Sequence, residues 1–218
     1  MFVSLIVGCS LPVRGALTFN DISNTDAFQY SNIQILGGTG LQEPNPDASY
    51  VGMFGGVGYP SEPGRSIFTD YVFYPSLEGL GNVSEISWRT NTPTTLTGVN
   101  LFLIADDHGA LADGRSAQAI ALIADTNGIP GFQSTDAHVV VTPPYVDTGT
   151  SYQAFFYIPF SVTATDFLFE AEPYFSIPNN AYLGPRVDEL DAVVPEPSSV
   201  ALLGAAVAPL FLRRRSGR

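Results

Sequence analysis

Two carboxylates stand two residues apart in "DFLFEAEPYF", Glu170 and Glu172. On a strand that spacing puts both on one face, with their backbones about 7 Å apart. Glycoside hydrolysis needs a carboxyl pair, one group to protonate the leaving oxygen and one to attack or to activate water. Neighbours on a single strand seldom flank a scissile bond, so the expectation for this pair is an acidic stripe facing solvent. Asp106, Asp107 and Asp113 in "ADDHGALADGRS" surround a glycine-containing turn, where hard oxygen ligands could gather around calcium. Their spacing is not that of an EF-hand, and on a continuing strand Asp106 and Asp107 would point opposite ways. The competing reading is a polar hairpin tip, and no residues of the sequence point to a cofactor other than calcium.

The remaining chemistry is sparse. His108 and His138 are thirty residues apart, without HxxxH or HExxH spacing, and read as loop or strand-edge residues. Neither "GRSIF" nor "GTSYQ" supplies the GxSxG elbow of a serine hydrolase. The single cysteine, Cys9, lies in the leader region, which excludes thiol chemistry and thiolate metal sites from the body. Fifteen Phe and ten Tyr could stack on sugars but more often fill a core, and Trp88 on an alternating strand is the expected core plug. Tyr59, Tyr145 and Tyr182 are the tyrosines that would suit stacking if exposed. No catalytic set converges, so the chain is not expected to be an enzyme.

Charge narrows the partners. Five of the nine arginines and one of the 21 acids lie in the terminal segments, which leaves four arginines against 20 acids between Ala16 and Val194, about −16. A surface of that sign repels phosphate backbones, so no nucleic-acid partner is expected.

These residues must be positioned by strands. Charged residues are 14% and aromatics 12%, with 21 Gly and 17 Pro, a mixture of apolar runs and frequent reversals that suits an all-β protein. Candidate strands are Leu17–Ile22, Phe28–Leu36, Tyr50–Phe54, Ile67–Tyr74, Val83–Trp88, Leu96–Ala105, Ala117–Ala124, Val139–Thr142, Tyr152–Phe160, Phe167–Glu172 and Pro185–Val194. "GNVSEISWRT" alternates, with Ser84, Ile86 and Trp88 on one face and Val83, Glu85 and Ser87 on the other. "AQAIALIA" reads as a strand but would equally make two turns of helix. "GGTGLQEPNPDAS" and "GGVGYPSEPGRS" are loops, and with no helix following they make no phosphate cradle. No period of 20 to 50 residues recurs, which argues against a propeller or solenoid. The expected fold is a single antiparallel β-sandwich of jelly-roll type, followed by a short C-terminal transmembrane helix.

The two ends read as processing segments. Residues 1–15 resemble a signal peptide without a basic start: an apolar run from Phe2 to Cys9, then Val13 and Gly15 at the −3 and −1 positions of a cut before Ala16. A lipoprotein box at Ile6–Cys9 and a buried first strand are the alternatives. At the other end Ser198 to Leu212 is a fifteen-residue apolar run, ~22 Å long as a helix. The hydrocarbon core is about 30 Å thick, so this span is marginal, and by length alone it could be a core helix. Arg213, Arg214 and Arg215 follow at once and would stay in the cytoplasm, leaving the body outside.

Val194-Pro195-Glu196-Pro197, the apolar run and the arginine cluster, in that order at the terminus, resemble the PEP-CTERM sorting signal of bacterial exported proteins. The resemblance implies recognition by exosortase, a membrane-embedded cysteine protease or transpeptidase. The chain would be its substrate, held transiently in the membrane and then delivered to the cell surface or extracellular polysaccharide matrix. An ordinary unprocessed anchor is the alternative.

A second, partial resemblance is to the later strands of galactose-binding-like, discoidin-type sandwiches. It rests on "TLTGVNLFLIADDHGALADGRSAQAIALIA" and on Gly184, Arg186, Val187, Glu189, Leu190 and Asp191, and it implies a carbohydrate-binding ancestry. The expected organisation is therefore a signal peptide at 1–15, a β-sandwich at 16–193 and a sorting segment at 194–218. The expected role is a non-enzymatic surface or matrix component, with a lectin-like module as the alternative and a secreted glycan-active enzyme third.

Overall fold

The computed structural model describes residues 27–28, 30–38, 53–54, 74–105, 116–149, 151–174 and 185–195. A 3-10 turn, Tyr30–Asn32, leads into β1 (Ile33–Gly38), followed by β2 (Tyr74–Pro75), β3 (Asn82–Ala105), β4 (Ala117–Ala124), β5 (Ala137–Val141), β6 (Val146–Asp147), β7 (Tyr152–Pro173) and β8 (Val187–Val193). Every strand pairing is antiparallel. The β-branched and aromatic residues that fill these runs suit a pleated, half-buried surface.

Two strands organise the rest. β3 and β7, 24 and 22 residues long, pair along nearly their whole length. Each spans two of the candidate strands, so Val83–Trp88 and Leu96–Ala105 are one strand, as are Tyr152–Phe160 and Phe167–Glu172. The polar stretches between the apolar runs are bends within strands. At one bend residues 90–93 of β3 stand opposite the single Thr165 of β7; at another, Thr97 stands opposite residues 160–161. Unequal counts of this kind bend a ladder and sharpen its twist.

The bends divide the ladder into two halves. On one side β1 joins the first half of β3, and β4 then β5 continue outward from the second half of β7. On the other, β8 joins the second half of β3 and β6 joins the start of β7. Inward side chains of both halves meet in one cluster: Ile86, Trp88, Phe167, Phe169, Ile120 and Leu122 from the first, Val99, Leu101, Leu103, Phe156, Ile158 and Leu190 from the second. The result is an antiparallel β-sandwich.

Trp88 is the core plug. It is fully buried, with the Phe28 and Phe54 rings 5.0 Å away and Phe167 stacked at 5.8 Å. Phe28 belongs to a turn, not to the strand expected from Phe28, and β1 begins five residues later. Met53 and Phe54 are likewise buried outside any strand. "AQAIALIA" is a strand throughout, buried at almost every position. The candidate Leu17–Ile22, most of Tyr50–Phe54 and nearly all of Ile67–Tyr74 lie outside the described residues.

Candidate functional site

Glu170 and Glu172 share one face of β7, but Glu170 is closed to solvent and Glu172 only partly open to it. Glu170 is 0% exposed. The hairpin between β2 and β3 folds its loop, residues 76–81, back over this outer face and fastens it to the carboxylates. Ser76 Oγ donates to Glu170 Oε2 at 2.7 Å and the Leu77 N–H to Glu170 Oε1 at 2.9 Å. The Gly81 N–H donates to Glu172 Oε1 at 2.9 Å. The expected acidic stripe is therefore an anchor: at Glu170 loop donors replace water, which is the condition for burying that carboxylate.

The same loop reaches a third strand. Glu78, with a side chain 6% exposed, lies 3.0 Å from His138 Nε2 on β5. Burial raises the Glu78 pKa; His138 opposes that rise, and the Glu170 and Asp136 charges add to it. Glu85, directly opposite Glu170 in the ladder, is also pushed up, by burial and then by the Glu170 charge. These carboxylates face a loop backbone and one imidazole. They do not flank an open cleft in the way an acid and a nucleophile flank a glycosidic bond.

The opening on this side of the sheet lies one bend further along. Arg89, Pro93, Asp125, Thr126, Gly128, Thr163, Ala164, Thr165 and Asp166 surround a cleft of about 570 Å³. It lies at the bulge where residues 90–93 of β3 face the single Thr165 of β7, and the loop that joins β4 to β5 supplies Asp125, Thr126 and Gly128 to it. Arg89 binds Asp166 through both carboxylate oxygens, Nε to Oδ1 at 2.6 Å and Nη2 to Oδ2 at 2.5 Å. The guanidinium is half exposed and the carboxylate mostly covered, 51% against 17%.

The far wall is a loop built on one aspartate. Asp136, 3% exposed, accepts from the N–H groups of Thr126 (2.9 Å), Asn127 (3.1 Å) and Gln133 (2.9 Å). Burial alone would raise its pKa; these backbone donors outweigh burial and hold it below the ordinary aspartate value. Asp125 is the opposite case, raised by burial and by its neighbours Asp136 and Asp166. Its own N–H donates to the Asp166 carbonyl at 3.0 Å, tying the loop to β7. The cleft thus presents threonine hydroxyls, carboxylates and a paired arginine, a polar lining of hydrogen-bond donors and acceptors.

Other expected site residues fall differently. Tyr145 is half-buried, its phenol oxygen accepts from the Ala117 N–H at 2.9 Å, and burial drives its pKa far up, so it is no free stacking surface. Tyr59, Tyr182, His108 and the calcium candidates Asp106, Asp107 and Asp113 lie outside the described residues. Among the described residues no three His, Cys, Asp or Glu side chains are grouped to hold a metal.

The sandwich ends where the terminal motif starts. Val193 is the last residue of β8, paired with Gly98, and its carbonyl accepts from Thr97 Oγ1 at 3.1 Å. Val194 still packs against the core, and Pro195 follows without an N–H to continue the ladder. Residues 193–215 match the family described as the PEP-CTERM protein-sorting motif. The chain carries a PEP-CTERM sorting motif. Such a signal marks an exported protein handled at the cell envelope and sorted by exosortase. Glu196, Pro197 and the Arg213–Arg215 cluster lie outside the described residues, as does the expected membrane helix. Among the described residues no helix is long and apolar enough to cross a membrane.

No curated protein matches the chain. Solved structures resemble it at low identity. CpGH89CBM32-4 from Clostridium perfringens is 8% identical with a TM-score of 0.43, over 77% of this chain and 98% of that one. The family 32 carbohydrate-binding module of Streptococcus pneumoniae EndoD is 11% identical with a TM-score of 0.40, over 78% and 100%. A GH31 CBM32-2 module bound to GalNAc is 12% identical with a TM-score of 0.39, over 75% and 98%. Likenesses of this size carry nothing about a ligand of this chain.

The cleft was not apparent from sequence patterning. Its signals are nevertheless there: "RTNTPTT" interrupts two apolar runs with a polar, proline-containing stretch, and Arg89 is one of only four arginines in an acidic body. A scarce cation beside a strand interruption marks both the bend and the ion pair that braces it.

Proposed function

We propose that this chain is a non-enzymatic cell-surface or extracellular-matrix protein, delivered outward and processed by exosortase at its terminal signal. The observation that carries the reading is the junction at Val193. The last residue of β8 is the first residue of the sorting motif, so a cut beyond Val194 removes the signal and leaves every described strand of the sandwich intact. The apolar run and Arg213–Arg215 then serve as a transient membrane hold. The carboxylates with described partners support the non-enzymatic part, because Glu170, Glu172, Asp136 and Asp166 hold loops and an arginine in place. The test is mass analysis of the exported protein from hosts with and without the exosortase. The processed form should lack the arginine cluster only where the enzyme is present. An intact Arg218 terminus on the exported product of both hosts overturns the proposal.

A second, compatible reading is a lectin-like module, favoured by the cleft at Arg89, Thr163 and Asp166. It binds polysaccharide hydroxyls through hydrogen bonds, and without a stacking ring among the lining residues its affinity for a single sugar is weak. Retention on immobilised glycan, lost on Thr163→Trp filling of the cleft, tests it.

A further inference from the structure

We propose that the cleft beside Arg89 and Asp125 selects amine-bearing polysaccharide over neutral or uronic-acid polymers. This rests on the lectin-like reading and adds the charge class of the ligand. Three observations carry it. First, the one cation lining the cleft among the described residues is already paired: Arg89 grips both oxygens of Asp166. Second, Asp125 lines the cleft beside that pair, and Asp136 stands behind it at the base of the 125–136 loop. One arginine against three aspartates makes the described surroundings of the cleft negative. Burial and the neighbouring aspartates make the Asp125 charge costly, and an incoming ammonium relieves that cost where a carboxylate would add to it. Third, the remaining lining suits a sugar backbone. Thr126, Thr163 and Thr165 bring hydroxyls, and Pro93, Ala164 and Gly128 offer small apolar contacts.

The wider field acts in the same direction. The body carries about −16, which concentrates cationic polymers near the surface and repels uronates, though only within about 8 Å at physiological salt. A purely diffuse field would not depend on any single acid. The cleft would.

The experiment titrates the exported, processed protein with three probes: a glucosamine oligomer, its fully N-acetylated counterpart and an oligogalacturonate, at a pH where the amines are protonated. The amine oligomer should bind at least about tenfold tighter than the N-acetylated one, with the oligogalacturonate weakest. Asp125→Asn should cut that preference to about threefold or less, with the larger loss falling on the amine oligomer. Asp147→Asn, which removes one charge from the exposed end of β6, should leave the preference in place. Equal binding of the amine and N-acetylated oligomers overturns the selectivity and leaves the lectin reading standing. Binding of none of the three overturns both. A loss of preference as large in Asp147→Asn as in Asp125→Asn assigns it to the diffuse field and overturns the site.

Discussion

Ser76 Oγ donates a hydrogen bond to Glu170 Oε2 at 2.7 Å across ninety-four residues of sequence. The Leu77 N–H completes the same carboxylate, so one buried glutamate on a central strand pins a hairpin loop to the outer face of the sheet. Hydrogen bonds to a buried charge contribute more than neutral ones, and removing the acceptor strands its donors. Glu170→Ala should therefore cost roughly 2–4 kcal/mol in chemical denaturation. Glu170→Gln keeps an acceptor and relieves the repulsion of Glu85, and should cost less than about 1.5 kcal/mol. Equal losses in the two variants would mean that the site needs the charge itself.

The carboxylates of the sheet face and the adjoining loop give the stability a defined pH dependence. Glu78, Glu85 and Asp125 have folded pKa values above their ordinary 4.5, 4.5 and 3.8, each first because of burial. In the window between ordinary and raised values the folded state binds more protons than the unfolded one, so stability falls as pH rises through it. Asp136 runs the other way: its folded value is below 3.8, and the stability it supplies is lost as pH falls through that value. The melting temperature should peak on the mildly acidic side. Glu78→Gln should flatten the decline toward neutrality, and Asp136→Asn the decline at the acid end. A melting temperature climbing steadily from about pH 5 to about pH 8 would contradict this assignment.

How far the sequence reached is clearest along β3 and β7. Their apolar runs were readable as strands because alternation at Ser84, Ile86 and Trp88 follows the pleat, and Trp88 does plug the core. That two runs form one strand was not readable, because bulges are set by the partner's register and not by local composition. Residues 90–93 look like a turn in isolation and become a bend only against Thr165. The fate of Glu170 was hidden for a similar reason: period-2 patterning assigns a residue to a face but cannot tell which face a distant loop will cover. The terminal signal was legible in full order because it is a contiguous linear motif read by another protein, independent of tertiary contacts.

Two glycines separate side-chain from backbone crowding. A Cβ at Gly98 would stand 2.2 Å from Cε2 of Tyr157, whose hydroxyl donates to the Thr97 carbonyl at 2.6 Å. The tyrosine can swing away, so Gly98→Ala should cost about 1 kcal/mol, the worth of that hydrogen bond. A Cβ at Gly38 would meet the Glu85 carbonyl oxygen of the paired strand at 2.4 Å, at a φ of +152°. Backbone cannot yield so cheaply, and Gly38→Ala should cost about 2 kcal/mol or more. Denaturation midpoints of the two variants check the order. A larger loss at Gly98 would mean that the Tyr157 ring is locked by its surroundings.

Trp88 supplies both a probe and a final test of the sandwich. It is the single tryptophan, fully buried among Phe28, Phe54 and Phe167, so its native emission should be blue-shifted and should move red in one transition on unfolding. Trp88→Ala opens a large cavity among Phe28, Phe54 and Phe167 and should cost about 3–5 kcal/mol. Trp88→Phe keeps an aromatic in a cage of rings, and because the indole N–H has no acceptor among the described residues it forfeits no hydrogen bond. It should cost clearly less than the alanine variant, with circular dichroism replacing fluorescence as the readout. An alanine variant as stable as the wild type would contradict this packing of Trp88 within the shared core.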